Sequence, residues 1–266
     1  MQTRRTEWLI PVLLALGAAA ALWYYWIQVN KTPPAPAPEV PVQEQSRAEP
    51  EPVHPLQEPA PRSAERGELV PLPPLDQSDD YFRLEMSELA GDAIGELLVE
   101  SGLIERIVAT VDNLPRDHVA ERIRPLQRLG GQFIVEPQDG DDAYLLTEAN
   151  FERYTPLVDL VEGADLHSAG ELYRRFYPLF QKAYVDLGYP QGYFNDRLVE
   201  VIDHLLSTPD VDDAVALVRP HVLYEYADPE LEELSSGQKL LIRMGSRNRS
   251  RVKQTLREFR GIITSL

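Results

Sequence analysis

Asp196, Glu200, Asp203 and Ser207 follow one another at spacings of four, three and four, so a helix sets them along one face. Arg197 and His204 lie within the same turns. Two carboxylates on one helical face can share a metal ion, or divide acid and base roles if burial separates their pKa values. Asp196, Glu200 and His204 are therefore the catalytic candidates, with His221 and Glu225 as a second possible pair. The alternative for the same residues is a solvated polar face on which Arg197 pairs with Glu200 one turn later.

Binding chemistry has its own candidates. The stretch Gly188-Tyr-Pro-Gln-Gly-Tyr-Phe-Asn195 has two glycines and a proline to specify its shape. A loop of this kind between rigid helices is a common place for recognition. It nominates Tyr189, Gln191, Tyr193, Asn195 and Arg197, and a second run nominates Arg219, His221 and Glu225. Upstream, Tyr173, Tyr177, Phe180 and Tyr184 form a stripe, and Leu172, Phe176, Leu179, Ala183 and Leu187 a second face. A helix apolar on two faces belongs in a core.

Several chemistries are excluded. The chain has no cysteine, so thiol catalysis, disulfides and Cys-ligated zinc are ruled out. The phosphate-loop, dinucleotide, nucleophile-elbow and H-E-x-x-H motifs are missing, and no cofactor or metal site is expected. Acids number 43 against 26 Lys plus Arg, a net charge of -17, which argues against nucleic acid as a partner. Charge is uneven, however. Residues 238–266 carry Lys239, Arg243, Arg247, Arg249, Arg251, Lys253, Arg257 and Arg260 against Glu258 alone. These basic C-terminal helices either contact an acidic partner or lipid headgroups, or neutralise the acidic body.

The elements that must position these residues divide the chain in three. Residues 1–30 read as a short stub and a transmembrane helix. Trp8–Ile27 is uncharged for twenty residues, about 30 Å of helix and enough to cross a bilayer core. Trp8 marks one interface, and Trp23, Tyr24, Tyr25 and Trp26 the other. Arg4 and Arg5 precede the span, which puts the N-terminus in the cytoplasm and the rest outside the inner membrane. Residues 31–75 hold 13 of the 23 prolines and read as a disordered linker favouring polyproline II, with an upper reach of about 140 Å.

Residues 76–266 read as one mainly α domain with a single small β-hairpin, Gln132–Glu136 against Ala143–Leu146, turning at Asp139-Gly140. Helices are expected after Ser78, around Ile94–Val99 and Leu103–Leu114, from Pro115 to before Pro125, and after Thr147. Further helices are expected over Glu171–Leu187, over Phe194–Leu206, after Thr208-Pro209 and Asp228-Pro229, and at the C-terminus, where Val252, Leu256, Phe259 and Ile263 share a side.

Four strings carry a resemblance. Tyr81-Phe82-Arg83-Leu84, Leu187-Gly-Tyr-Pro-Gln-Gly-Tyr-Phe-Asn-Asp-Arg-Leu-Val-Glu-Val-Ile-Asp-His204, Val218-Arg-Pro-His-Val-Leu-Tyr-Glu-Tyr-Ala-Asp-Pro-Glu230 and Gly237-Gln-Lys-Leu-Leu241 resemble the bacterial domain-of-unknown-function family numbered 3014, over about residues 70–262. The resemblance implies a single N-terminal span and a Pro-rich linker, and it implies no activity. Three functional readings stay open: a membrane-anchored envelope module that binds a protein or cell-wall component; an assembly factor acting through the basic helices; and an envelope hydrolase or metal-dependent enzyme built on Asp196, Glu200 and His204.

Overall fold

The structure is a computed structural model that describes residues 51–56, 71–139 and 142–265. The run Trp8–Ile27, with Trp8, Trp23, Tyr24, Tyr25 and Trp26, lies outside the described residues, as does most of the linker. Among the described residues no helix is long and apolar enough to cross a membrane.

Ten helices are described: α1 (Asp79–Ala90), α2 (Asp92–Leu97), α3 (Leu103–Asn113), α4 (Glu148–Glu152), α5 (Thr155–Gly163), α6 (Leu166–Asp186), α7 (Phe194–Leu206), α8 (Pro229–Glu232), α9 (Ser236–Arg243) and α10 (Gly245–Ser265). Their core follows from the apolar spacing. Leu103, Ile104 and Val108 of α3, Phe176 and Phe180 of α6, Phe194 and Ile202 of α7 and Ile263 of α10 are buried together. The tyrosine-rich stripe is core, as its two apolar faces require. Phe82 meets the edges of Phe176 and Phe180 at centroid distances of 5.1 and 5.9 Å, and Phe180 stacks on Phe194 at 5.6 Å. Edge-to-face and offset-stacked pairs are the arrangements that aromatic quadrupoles favour.

The sheet is larger than one hairpin. β1 (Val135–Pro137) and β2 (Ala143–Leu146) form the expected hairpin, but its first strand begins at Val135 instead of Gln132 and takes in Pro137, which pairs with Tyr144. β3 (Ala216–Val218) then pairs with β2, and β4 (Glu225–Tyr226) with β3, giving an antiparallel order β1-β2-β3-β4. Strands of three and two residues carry no usable alternation. Pairing with β2 and burial of Leu217 and Tyr226 against Ile242 of α9 fix them instead.

Two expected helices are corrected. No α-helix runs from Pro115 to Pro125; the chain passes through turns and one 3-10 turn, Glu121–Ile123. Val119 is its only buried apolar residue, too little to hold an amphipathic face. Nor does Thr208-Pro209 open a helix. The Thr208 hydroxyl donates to the Leu205 carbonyl at 2.7 Å and closes the end of α7 instead. By contrast Asp228-Pro229 does cap a helix, Asp228 accepting from the Glu230 N–H at 2.9 Å.

Where the linker is described, it is packed. Leu75 is buried, and Leu72 and Leu56 lie against the main core. The expectation of a disordered linker over 31–75 therefore does not extend to residues 51–56 and 71–75.

Candidate functional site

The sequence-nominated residues end up in two places and in different states. The first is centred on Asp112, near the C-terminus of α3. Position 112 continues the buried i, i+4 row of Ile104 and Val108, and the side chain is 3% exposed. One of its oxygens accepts from Arg197 Nε at 3.0 Å; the other accepts from Arg116 Nη2 at 2.7 Å and from the Tyr189 hydroxyl at 3.1 Å. Arg197 also donates to the Asp112 carbonyl at 2.9 Å, and its remaining nitrogen pairs with Glu200 at 2.8 Å. Tyr189 stacks on Tyr184 at 4.6 Å, with the ring planes 16° apart.

This network is a clasp. It ties the loop after α6 and the first turns of α7 to the end of α3. This buried carboxylate has both oxygens engaged, one by Arg197 and the other by Arg116 and Tyr189, which commits it to holding these elements together. Burial works against the Arg197 charge, but Glu200 and Asp112 outweigh it and raise its pKa from the ordinary value. Burial, with the Asp112 charge adding, pushes the Tyr184 phenol up.

Asp196, Glu200 and His204 do not converge. Glu200 is two-thirds exposed and engaged with Arg197. His204 Nε2 lies 2.8 Å from the hydroxyl of Ser235, the cap of α9, whose capping box Gln238 completes. Burial, and then repulsion from Arg197, lower the His204 pKa from its ordinary value. Asp196 accepts two backbone N–H bonds from the 51–56 segment, Val53 at 3.0 Å and His54 at 2.7 Å. Asp203 holds Arg260 of α10 through two bonds of 2.6 and 2.9 Å. Among the described residues no group of three or more His, Asp or Glu could hold a metal ion. Asn195 is also not a surface ligand. It is 1% exposed, accepts from the Tyr173 hydroxyl at 3.1 Å and donates to the His54 carbonyl at 2.8 Å. In this loop Gln191 is exposed and Tyr193 half-buried.

The second place is the β3–β4 turn. Arg219 and His221 are exposed there, and Glu225 is half-buried on β4. Sequence reading passed over the residues between them. Val222 is 79% exposed and Leu223 75%. The Arg219 guanidinium lies over the Tyr224 ring at 5.4 Å, and Tyr224 packs on Phe133 at 5.6 Å and on Tyr144 at 5.1 Å. Phe133 and Ile134, each about two-fifths to half exposed, extend the apolar surface. The sequence signal was present: Val-Leu-Tyr follows Pro220-His221, in a turn too short to bury it.

Five of the eight basic residues of the C-terminal helices, Lys239, Arg249, Arg251, Lys253 and Arg260, pair with acids of the same chain. Lys239 pairs with Glu232, Arg251 with Asp159 and Glu162, and Arg260 with Asp203. Buried Lys253 donates to the Thr208 carbonyl at 2.6 Å and reaches Asp210 at 3.2 Å. Arg243 lies 5.9 Å from the centre of the Tyr226 ring. A cleft of about 610 Å³ opens between α4, α5 and the start of α10. Of the nominated residues Arg247 of the basic set lines it, and its Asp213 is engaged by the Ser246 N–H at 2.6 Å and hydroxyl at 2.8 Å.

A family model described as a protein of unknown function, DUF3014, matches residues 103–260. That stretch holds the Asp112 clasp, the whole sheet and the β3–β4 turn. No curated protein and no solved structure matches the chain.

Proposed function

We propose that this chain, which belongs to the DUF3014 family, is a non-enzymatic binding module that meets a partner through the β3–β4 turn. The observation that carries the reading is the exposure of Val222 and Leu223 at 79 and 75% on a turn braced by Tyr224, Tyr144 and Phe133. Exposed apolar residues are ordinary when scattered singly. Here Val222 and Leu223 adjoin Tyr224, which packs on Phe133 and Tyr144, with Arg219 and His221 at the edge, the composition of an interface with an apolar centre and a polar rim. A rigid base matters because the side chains then lose little freedom on binding.

The second support comes from the carboxylates. Asp112, Asp196 and Asp203 each hold one part of the chain to another, and Glu200 is paired with Arg197 on its own helix, which suits a scaffold and not an acid–base pair. The N-terminal apolar run is read as a single inner-membrane span with a cytoplasmic N-terminus, and the Pro-rich stretch as a leash. On that reading the domain lies outside the cytoplasm, and the partner is an envelope protein or a cell-wall component. The internal pairing of the basic helices counts against an assembly factor acting through that surface.

Photo-crosslinking in living cells from position 223 tests the reading. A discrete adduct that Val222→Asp removes is the expected result. An unchanged adduct in Val222→Asp, or none in a folded and abundant chain, would overturn it.

A further inference from the structure

Residues 51–56, Glu-Pro-Val-His-Pro-Leu, belong by composition to the linker, yet they lie on the domain as a short segment that bends at Val53 and His54. Exposure alternates along them: Glu51, Val53 and Pro55 face out, and Pro52, His54 and Leu56 are half-buried. The contacts are to the main chain. Asp196 takes the N–H groups of both Val53 and His54, one on each oxygen, at 3.0 and 2.7 Å. Asn195 donates to the His54 carbonyl at 2.8 Å, and the hydroxyl of Tyr173, behind it, donates to the Asn195 amide oxygen at 3.1 Å. Leu56 packs against the main core.

The arrangement selects by shape. Pro52 and Pro55 have no N–H, so the segment presents two adjacent donors between two prolines, and the bend at Val53-His54 lets one carboxylate catch both. The receiving groups are built in advance: Asn195 is 1% exposed and fixed at the start of α7. Asp196, in the first turn of that helix, is turned toward this segment.

Two opposing effects decide how firmly the segment is held. Hydrogen bonds to a carboxylate are stronger than neutral ones. Ordering each residue costs conformational entropy, less where proline has already fixed the backbone. Three bonds and one leucine therefore stand against the ordering of six residues. Such a contact persists because its tether keeps the segment close, and it yields to a competitor.

We propose that the surface formed by Asn195, Asp196 and the adjoining core is a peptide-binding site for a short proline-flanked segment that bends to offer two consecutive N–H groups, and that residues 51–56 are its displaceable occupant. The inference is independent of the β3–β4 turn. Its consequence is mechanical: a segment supplied in trans returns residues 51–56 to the linker.

The test uses the full chain in two steps. Backbone hydrogen exchange is compared between the wild type and Asp196→Ala. The expected result is that the Val53 and His54 amides exchange at least tenfold faster in the variant, with exchange in α7 unchanged. Equal exchange at those two amides would overturn the docking. A synthetic peptide of residues 49–58 is then titrated into the wild type and into the chain carrying Val53→Pro and His54→Pro, which removes both donors and leaves the body intact. The peptide is expected to shift the Asn195 and Asp196 amides of the substituted chain, at least tenfold more tightly than those of the wild type, whose site is filled. Equal affinity for the two, or no shift up to about 10 mM, the scale of effective concentration across a short linker, would overturn the binding site.

Discussion

The Asp112 clasp and the β3–β4 turn are opposites in composition and in state. Around Asp112, charged and phenolic groups that look like chemistry in the sequence are buried or engaged, each oxygen of the carboxylate being met by a donor. At the turn, valine and leucine that look like core stand three-quarters exposed. Burying a charge is tolerated only when it is paired, so the polar residues around the clasp are committed to holding α3, α7 and the intervening loop together. Leaving apolar area in water gives up stability, so an apolar turn on a rigid aromatic base is the part of the molecule left free for a partner.

The comparison breaks first at Asp112. Asp112→Ala leaves Arg197, whose side chain is 18% exposed, facing an empty position, and is expected to lower unfolding free energy by about 3–5 kcal/mol in denaturant titration. Glu200→Ala, on the same network but two-thirds exposed, is expected to cost less than about 1 kcal/mol. Equal effects would mean that the clasp is not centred on Asp112.

Gly245 offers a backbone test of comparable sharpness. Its φ of +82° suits glycine, and an added Cβ would lie 2.6 Å from the Phe151 ring. Gly245→Ala is expected to cost about 1–3 kcal/mol, read as a lower midpoint of thermal unfolding.

A smaller, pH-dependent effect belongs to His204. Its folded pKa is below its ordinary value, so the unfolded chain takes up the proton more readily. The stability of the neutral, folded histidine is intact above the ordinary histidine pKa, about 6.5, and falls as pH drops through it. The wild type should therefore lose more stability between pH 7.5 and 5 than His204→Gln. Parallel pH profiles would show that His204 is not the group responsible. The smallest effect on stability is expected at the turn, where Leu223→Asp should change it by less than about 0.5 kcal/mol.

How much of this was legible varies with how local its cause is. The face of α7 through Phe194, Leu198, Val201, Ile202 and Leu205 and the face of α10 through Leu256, Phe259 and Ile263 were readable from spacing alone. The hairpin was readable from Asp139-Gly140 between two apolar runs. β3 and β4 were not, because sheet pairing decides strands that short. Asp112 stands in no motif, although an acid continuing the row of Ile104 and Val108 was a signal that it is buried and paired. The pairing of Arg197 with Glu200 was read correctly as one alternative, whereas the burial of Asn195 depended on Tyr173, 22 residues earlier. The docking of residues 51–56 was hidden because proline content reports the conformation of the segment and not the surface it meets.

One pair of measurements on the same two variants tests the division most directly. Unfolding free energy and recovery of the crosslinked adduct from position 191 or 222 are followed in Asp112→Ala and Leu223→Asp. The account predicts that Asp112→Ala is strongly destabilised and that the fraction remaining folded still crosslinks from position 222. It predicts that Leu223→Asp is as stable as the wild type and forms no adduct. A stable Leu223→Asp chain with full crosslinking, alongside a folded Asp112→Ala chain with none, would contradict it and move the partner surface to the clasp.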